Sequence, residues 1–92
     1  MDIVAKHLTI RGRVQGVGYR HYIAYKARQF QITGWVRNRA DGSVEAIVAG
    51  TPDAVNAMLE RARRGPPAAT VTAFEVADSD ETFERFETLP TV

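Results

Sequence analysis

The run Gly12-Arg13-Val14-Gln15-Gly16-Val17-Gly18-Tyr19-Arg20 holds the residue types that could do chemistry. Gly12, Gly16 and Gly18 let the backbone curl and come close to a ligand. Successive N–H groups in such a loop converge on one anion, and a helix start just beyond it adds partial positive charge. Arg20 supplies a full charge and a planar fork of donors that matches phosphate oxygens. The physical reading is an anion cradle, for a phosphate above all. The Lys-Ser/Thr of a nucleotide P-loop is missing, which speaks against ATP or GTP.

The flanking segments must position that loop. Leu8, Ile10 and Gly12 alternate with His7, Thr9, Arg11 and Arg13, the period of a strand with one face inward. From His21 to Phe30 the period changes, with Ile23, Ala27 and Phe30 on one helical stripe. Gly34 to Arg39 reads as a strand, Ala40-Asp41-Gly42 as a hairpin turn, and Ser43 to Ala49 as the partner strand. Thr51 is placed to cap a second helix, with Pro52 at its first position and Asp53 in its first turn. Val55, Met58, Leu59 and Ala62 are that helix's apolar stripe, and Gly65-Pro66-Pro67 stops it. Thr70 to Val76 reads as a strand, Asp78-Ser79-Asp80-Glu81 as a polar loop, and Phe83 to Leu89 as a short edge strand closed by Pro90.

The order β-α-β-β-α-β is the split βαβ, or ferredoxin-like, arrangement: α+β, an antiparallel sheet with two helices on one face. The other face is expected to stay wet, with Thr9, Arg11 and Arg37 pointing outward. Val36 and Asn38 share a strand face, so Asn38 should point toward the helix side. Arg20 and Asn38 are far apart in sequence, yet this fold brings them together at one end of the sheet.

At 92 residues the chain is expected to form one domain, residues 1–92. Twelve basic residues against 11 acidic ones leave a net charge of +1, too balanced for a protein that binds nucleic acid through bulk electrostatics. No apolar run approaches the ~20 residues that cross a bilayer. The start, Met1 to His7, lacks the apolar stretch of a secretory signal. With no cysteine, these features lead to the expectation of a cytoplasmic protein, with no membrane partner and a monomer by size.

Other residues invite plainer readings. His7 and His21 have no second ligand at metal spacing, so no metal is assigned. Asp78, Asp80 and Glu81 read as solvated acids. Arg61, Arg63 and Arg64 sit where a helix end favours positive charge. Trp35 reads as a half-buried sheet residue.

Gly12-x-Val14-Gln15-Gly16-Val17-Gly18-Tyr19-Arg20 resembles the first signature of the acylphosphatases. Gly34-Trp35-Val36-Arg37-Asn38, followed by Asp41-Gly42-x-Val44-Glu45, resembles their second. Their spacing matches as well, and so does Gly65-Pro66-Pro67. The resemblance implies cofactor-free and metal-independent hydrolysis of the carboxyl-phosphate bond of acyl phosphates. It implies that Arg20 binds the phosphate and that Asn38 positions the attacking water. The loop Gln15, Gly16, Val17, Gly18 and Tyr19 would be the backbone cradle, with inorganic phosphate or sulfate as product-like ligands. Two positions depart from the family's pattern: Tyr19, where members often have Phe, and Gln31, where many have Gly. Either Gln31 takes the left-handed conformation that the glycine would take, or the helix-ending turn has rearranged.

Two other function classes fit the same element order. An RNA-recognition module would need stacking aromatics on its central strands, and His7 to Arg13 and Val44 to Ala49 contain none. A non-catalytic anion-binding domain would not need both Arg20 and Asn38.

Overall fold

The computed structural model describes residues 2–92. Its elements are β1 (Val4–Arg13), α1 (Tyr19–Gln29), β2 (Thr33–Asn38), β3 (Val44–Gly50), α2 (Pro52–Arg64), β4 (Thr70–Ser79) and β5 (Phe86–Thr88). They build one five-stranded sheet in the order β4-β1-β3-β2-β5. The first four of these neighbours pair antiparallel, which is the ferredoxin-like core. β5 extends its edge by pairing parallel to β2.

Alternation on the strands sets the two faces. Leu8, Ile10, Val36, Val44, Ala46 and Val48 point to the helices and are buried with Ile23, Ala27, Val55, Met58 and Ala62 in one core. Asn38 follows Val36 by two and so lies on that same side. α2 starts as its sequence indicates: Thr51 Oγ1 accepts from the Ala54 N–H, Pro52 is the first helical residue and Asp53 lies in the first turn.

The opposite face is only partly wet, which corrects the expectation for it. Ala5, Ile47 and Ala49 are buried there, with Trp35 and Phe83 packed against them. The connection from β4 to β5 explains the cover. Those strands lie at opposite edges of the sheet, four strand spacings or about 19 Å apart. Ser79 to Phe86 can span roughly 23 Å when extended. The link is therefore nearly taut, and Phe83 packs against the outer face as the chain crosses. β4 also runs past Val76 to Ser79, because Ala77, Asp78 and Ser79 pair with His7, Lys6 and Ala5.

At the far end of α1 the open question about Gln31 has an answer. Gln31 has φ 57°, the left-handed region. The Ile32 N–H donates to Ala27 O (2.8 Å) and the Gln31 N–H to Arg28 O (3.3 Å), the paired bonds of a Schellman cap. Ile32 is buried, so the cap also anchors the strand that follows. A side chain in this conformation costs roughly 1 kcal/mol relative to glycine. Gln31→Gly is expected to stabilise the protein by about that amount with no change in turnover, since the cap is remote from the loop at Gly12–Arg20. Chemical denaturation of both proteins checks this, and a lower midpoint for the variant refutes the strained cap.

Candidate active site

The loop between β1 and α1 is shaped at both ends. Where β1 leaves the sheet, its register against β4 shifts between Arg11 and Gly12, a bulge that re-aims the chain. A Cβ at residue 12 would lie 2.1 Å from Thr70 O, so only glycine fits the bulge. At the other end Gly18 caps α1 with φ 81° and ψ 14°. No side chain caps this helix and no acid occupies its first turn. The N–H groups of Tyr19, Arg20 and His21 have no intrahelical partner and are left for an anion.

The candidate residues divide by what their side chains do. Gln15 donates from Nε2 to Arg39 O and to Ser43 O, both at 2.8 Å. It thus ties the loop to the hairpin between β2 and β3. That hairpin is itself fixed by Asp41, whose Oδ1 accepts from the Ser43 N–H (3.0 Å) and Oγ (2.6 Å). These bonds, with help from Arg11, bring the Asp41 carboxyl down to about 2. Val17 packs on the core. The Tyr19 ring is buried and its hydroxyl donates to Ala62 O at 2.7 Å, fastening α1 to α2. Burial, with a smaller effect of Tyr22, pushes that phenol well above its usual range. The family's usual Phe would fill the same space without this bond.

A cleft of about 450 Å³ opens over the loop, lined by Gly16, Gly18, Tyr19, Arg20 and Asn38. Arg20 and Asn38, 18 residues apart, thus share one cavity with the cradle glycines. Arg20 makes no ion pair among the described residues. Asn38 Oδ1 is buried and has no hydrogen-bond partner. Backbone bonds hold its strand on the outer side: the Leu89 N–H donates to Val36 O (2.9 Å) and the Val92 N–H to Asn38 O (3.2 Å).

Val14, Ala24, Arg28 and Thr88 also line the cleft and were not foreseen, and so does His21, whose part in the site the sequence left open. His21, Ala24 and Arg28 lie at i, i+3 and i+7, so helical spacing from the loop could have flagged them. Thr88 carries no such signal, because its place depends on where β5 docks.

His7, Arg37 and Glu45 meet on the other face of the sheet. Glu45 accepts from Arg37 Nε (2.9 Å) and pairs with His7 Nε2 (2.7 Å). Burial would raise the Glu45 carboxyl, but these partners outweigh it and hold it below its usual value. The Arg37 guanidinium also stacks 4.6 Å from the centre of the Trp35 ring. Glu45 lies in the middle strand of the sheet, where an RNA-recognition module would stack bases.

Fold and cleft together define a small α+β domain in which Arg20, the loop glycines and the Asn38 amide border one cavity. The acylphosphatase family model matches residues 6–88. The acylphosphatase of Rhodopseudomonas palustris (strain BisB18) is 46% identical over 99 aligned positions, covering all of both chains. That of Nitrobacter hamburgensis is 52% identical with the same coverage. The crystal structure of the Bacillus subtilis acylphosphatase superposes with a TM-score of 0.89 at 33% identity, covering 94% of this chain and 98% of that one. The chain belongs to the acylphosphatase family, a family of hydrolases. Among the described residues no helix is long and apolar enough to cross a membrane, and no group of acids and histidines is arranged to hold a metal ion.

Proposed function

We propose that this chain hydrolyses acyl phosphates to a carboxylate and inorganic phosphate, with Arg20 and the amides of the Gln15–Tyr19 loop holding the phosphoryl group and Asn38 positioning water. The observation that carries this reading is the Asn38 amide: the residue lines the cavity it shares with Arg20, and its buried Oδ1 has no hydrogen-bond partner. A buried acceptor without a hydrogen bond costs about 1–3 kcal/mol, so its retention points to use. The terminal torsion of Asn is broad and roughly two-fold. A half-turn exchanges the two amide atoms and presents either one to a water in the cleft.

The chemistry asks little else of the protein. The leaving group is a carboxylate of low pKa and departs without an acid. What remains is to neutralise phosphoryl charge and to hold water in line with the departing oxygen. Arg20 and the free amides do the first. Asn38 does the second, accepting from water without adding negative charge beside the phosphate. The water oxygen bonds to phosphorus, the phosphorus–oxygen bond to the acyl group breaks, and a phosphoryl oxygen takes the water's proton. No metal or cofactor enters the scheme. One copy of one domain supplies every group, so the working unit we propose is a monomer acting in the cytoplasm.

Hydrolysis of acetyl phosphate with and without a chelator tests the proposal. Equal turnover in both supports it, and no turnover in either refutes it. Phosphate binding gives a second test. An anion at a hundred times its dissociation constant stabilises the folded state by about 2.7 kcal/mol. For a domain of this size each kcal/mol raises the melting temperature by about 4–8 °C. Phosphate or sulfate is therefore expected to raise the melting temperature and to inhibit competitively. A curve unmoved by phosphate, against chloride at equal ionic strength, counts against the cradle.

A further inference from the structure

The cleft is larger and more positive than a phosphoryl group requires. It encloses about 450 Å³, and beyond Arg20 its wall continues as His21, Ala24 and Arg28 on α1 and Thr88 on β5. His21 and Arg28 are about 10 Å apart along the helix axis. Buried Ala24 lies between them, a small residue that leaves a shallow trough with a basic group at each end. No carboxylate lines the cleft. Neither His21 nor Arg28 forms an ion pair among the described residues.

We propose that Arg28, with His21 and Thr88, forms a subsite for the acyl portion of the substrate. It favours acyl phosphates whose acyl chain ends in a second anionic group, a carboxylate above all. This rests on the placement of the phosphoryl group at Arg20 proposed above. With phosphate at the start of α1, the acyl chain leaves along the trough over Ala24. Side chains on a helix lean toward its N-terminus, so the Arg28 guanidinium reaches back toward the same trough. There its planar fork can take a terminal carboxylate with two charge-assisted hydrogen bonds, and the Thr88 hydroxyl can donate a further one. A neutral acyl group gains nothing from Arg28.

Steady-state kinetics with acetyl phosphate and succinyl phosphate, whose four-carbon acyl chain ends in a carboxylate, tests the subsite. Wild type, Arg28→Gln and Lys26→Gln are compared at one ionic strength. Lys26 is also on α1 but does not line the cleft, so it controls for net charge. In wild type succinyl phosphate is expected to be the better substrate by about tenfold in kcat/KM, the size expected of one charge-assisted pair. Arg28→Gln is expected to erase most of that preference through KM, with kcat little changed, and Lys26→Gln to retain it. An unchanged preference in Arg28→Gln, or an equal loss in Lys26→Gln, overturns the subsite while the acylphosphatase reading stands. Turnover of neither substrate by wild type overturns that reading as well.

Discussion

Arg20→Lys is expected to leave a folded protein that turns over acyl phosphate about a thousandfold more slowly, within the range an arginine contributes to phosphoryl transfer. Lysine keeps the charge but not the planar fork that meets two phosphate oxygens at once. Arg20 is only half-buried and makes no ion pair among the described residues, so its replacement removes no structural bond of that kind. The melting curve should therefore stay close to wild type in the absence of phosphate. Its shift on adding phosphate should shrink sharply. Near wild-type kcat and KM in this variant would show that the phosphate is held elsewhere.

Asn38→Ala is expected to lower kcat about a hundredfold while phosphate still protects the fold against heat. A misplacement of the reacting atoms by about 1 Å is enough for a loss of that size. The expected split between rate and binding follows from the geometry. In the proposed site the charge that would hold the anion lies on Arg20 and the free amides at the start of α1, whereas Asn38 is neutral. Removing an amide whose Oδ1 is buried without a partner should also leave stability unchanged or slightly improved. Loss of phosphate protection as severe as in Arg20→Lys would give Asn38 a different role.

The sequence was most informative where local backbone preference decides the outcome. The glycine loop, Thr51-Pro52 and the Asp41-Gly42 turn each announce a conformation within a few residues. Asn38 was placed on the helix side because a strand alternates strictly, and it follows Val36 by two. Tyr19 was legible in part. It precedes Ile23 by four and thus belongs to the apolar stripe of α1, whereas the sequence reading assigned it only a place in the backbone cradle. The buried patch on the outer face also had a local trace in Ala5, Ile47 and Ala49, three apolar residues at outward positions. Phe83, which covers them, could not be read without knowing that β4 and β5 lie at opposite edges. Gln15 shows the limit most clearly. Its partners are two backbone carbonyls across a hairpin, and carbonyls leave no mark in a sequence.

The order of strands has a consequence for how activity is lost. β1, which leads into the cradle, and β2, which carries Asn38, are not neighbours: β3 lies between them. Within the sheet, residues 4–13 and 33–38 are brought into line by each pairing with residues 44–50, and Gln15 adds a tie from the loop to the hairpin. No local segment can hold Arg20 and Asn38 together once β3 leaves the sheet. Sites on lids or loops can open while the rest of a domain stays folded. Here the loop is anchored to the sheet at both ends, so turnover under denaturing conditions is expected to be lost no later than the pairing of β3.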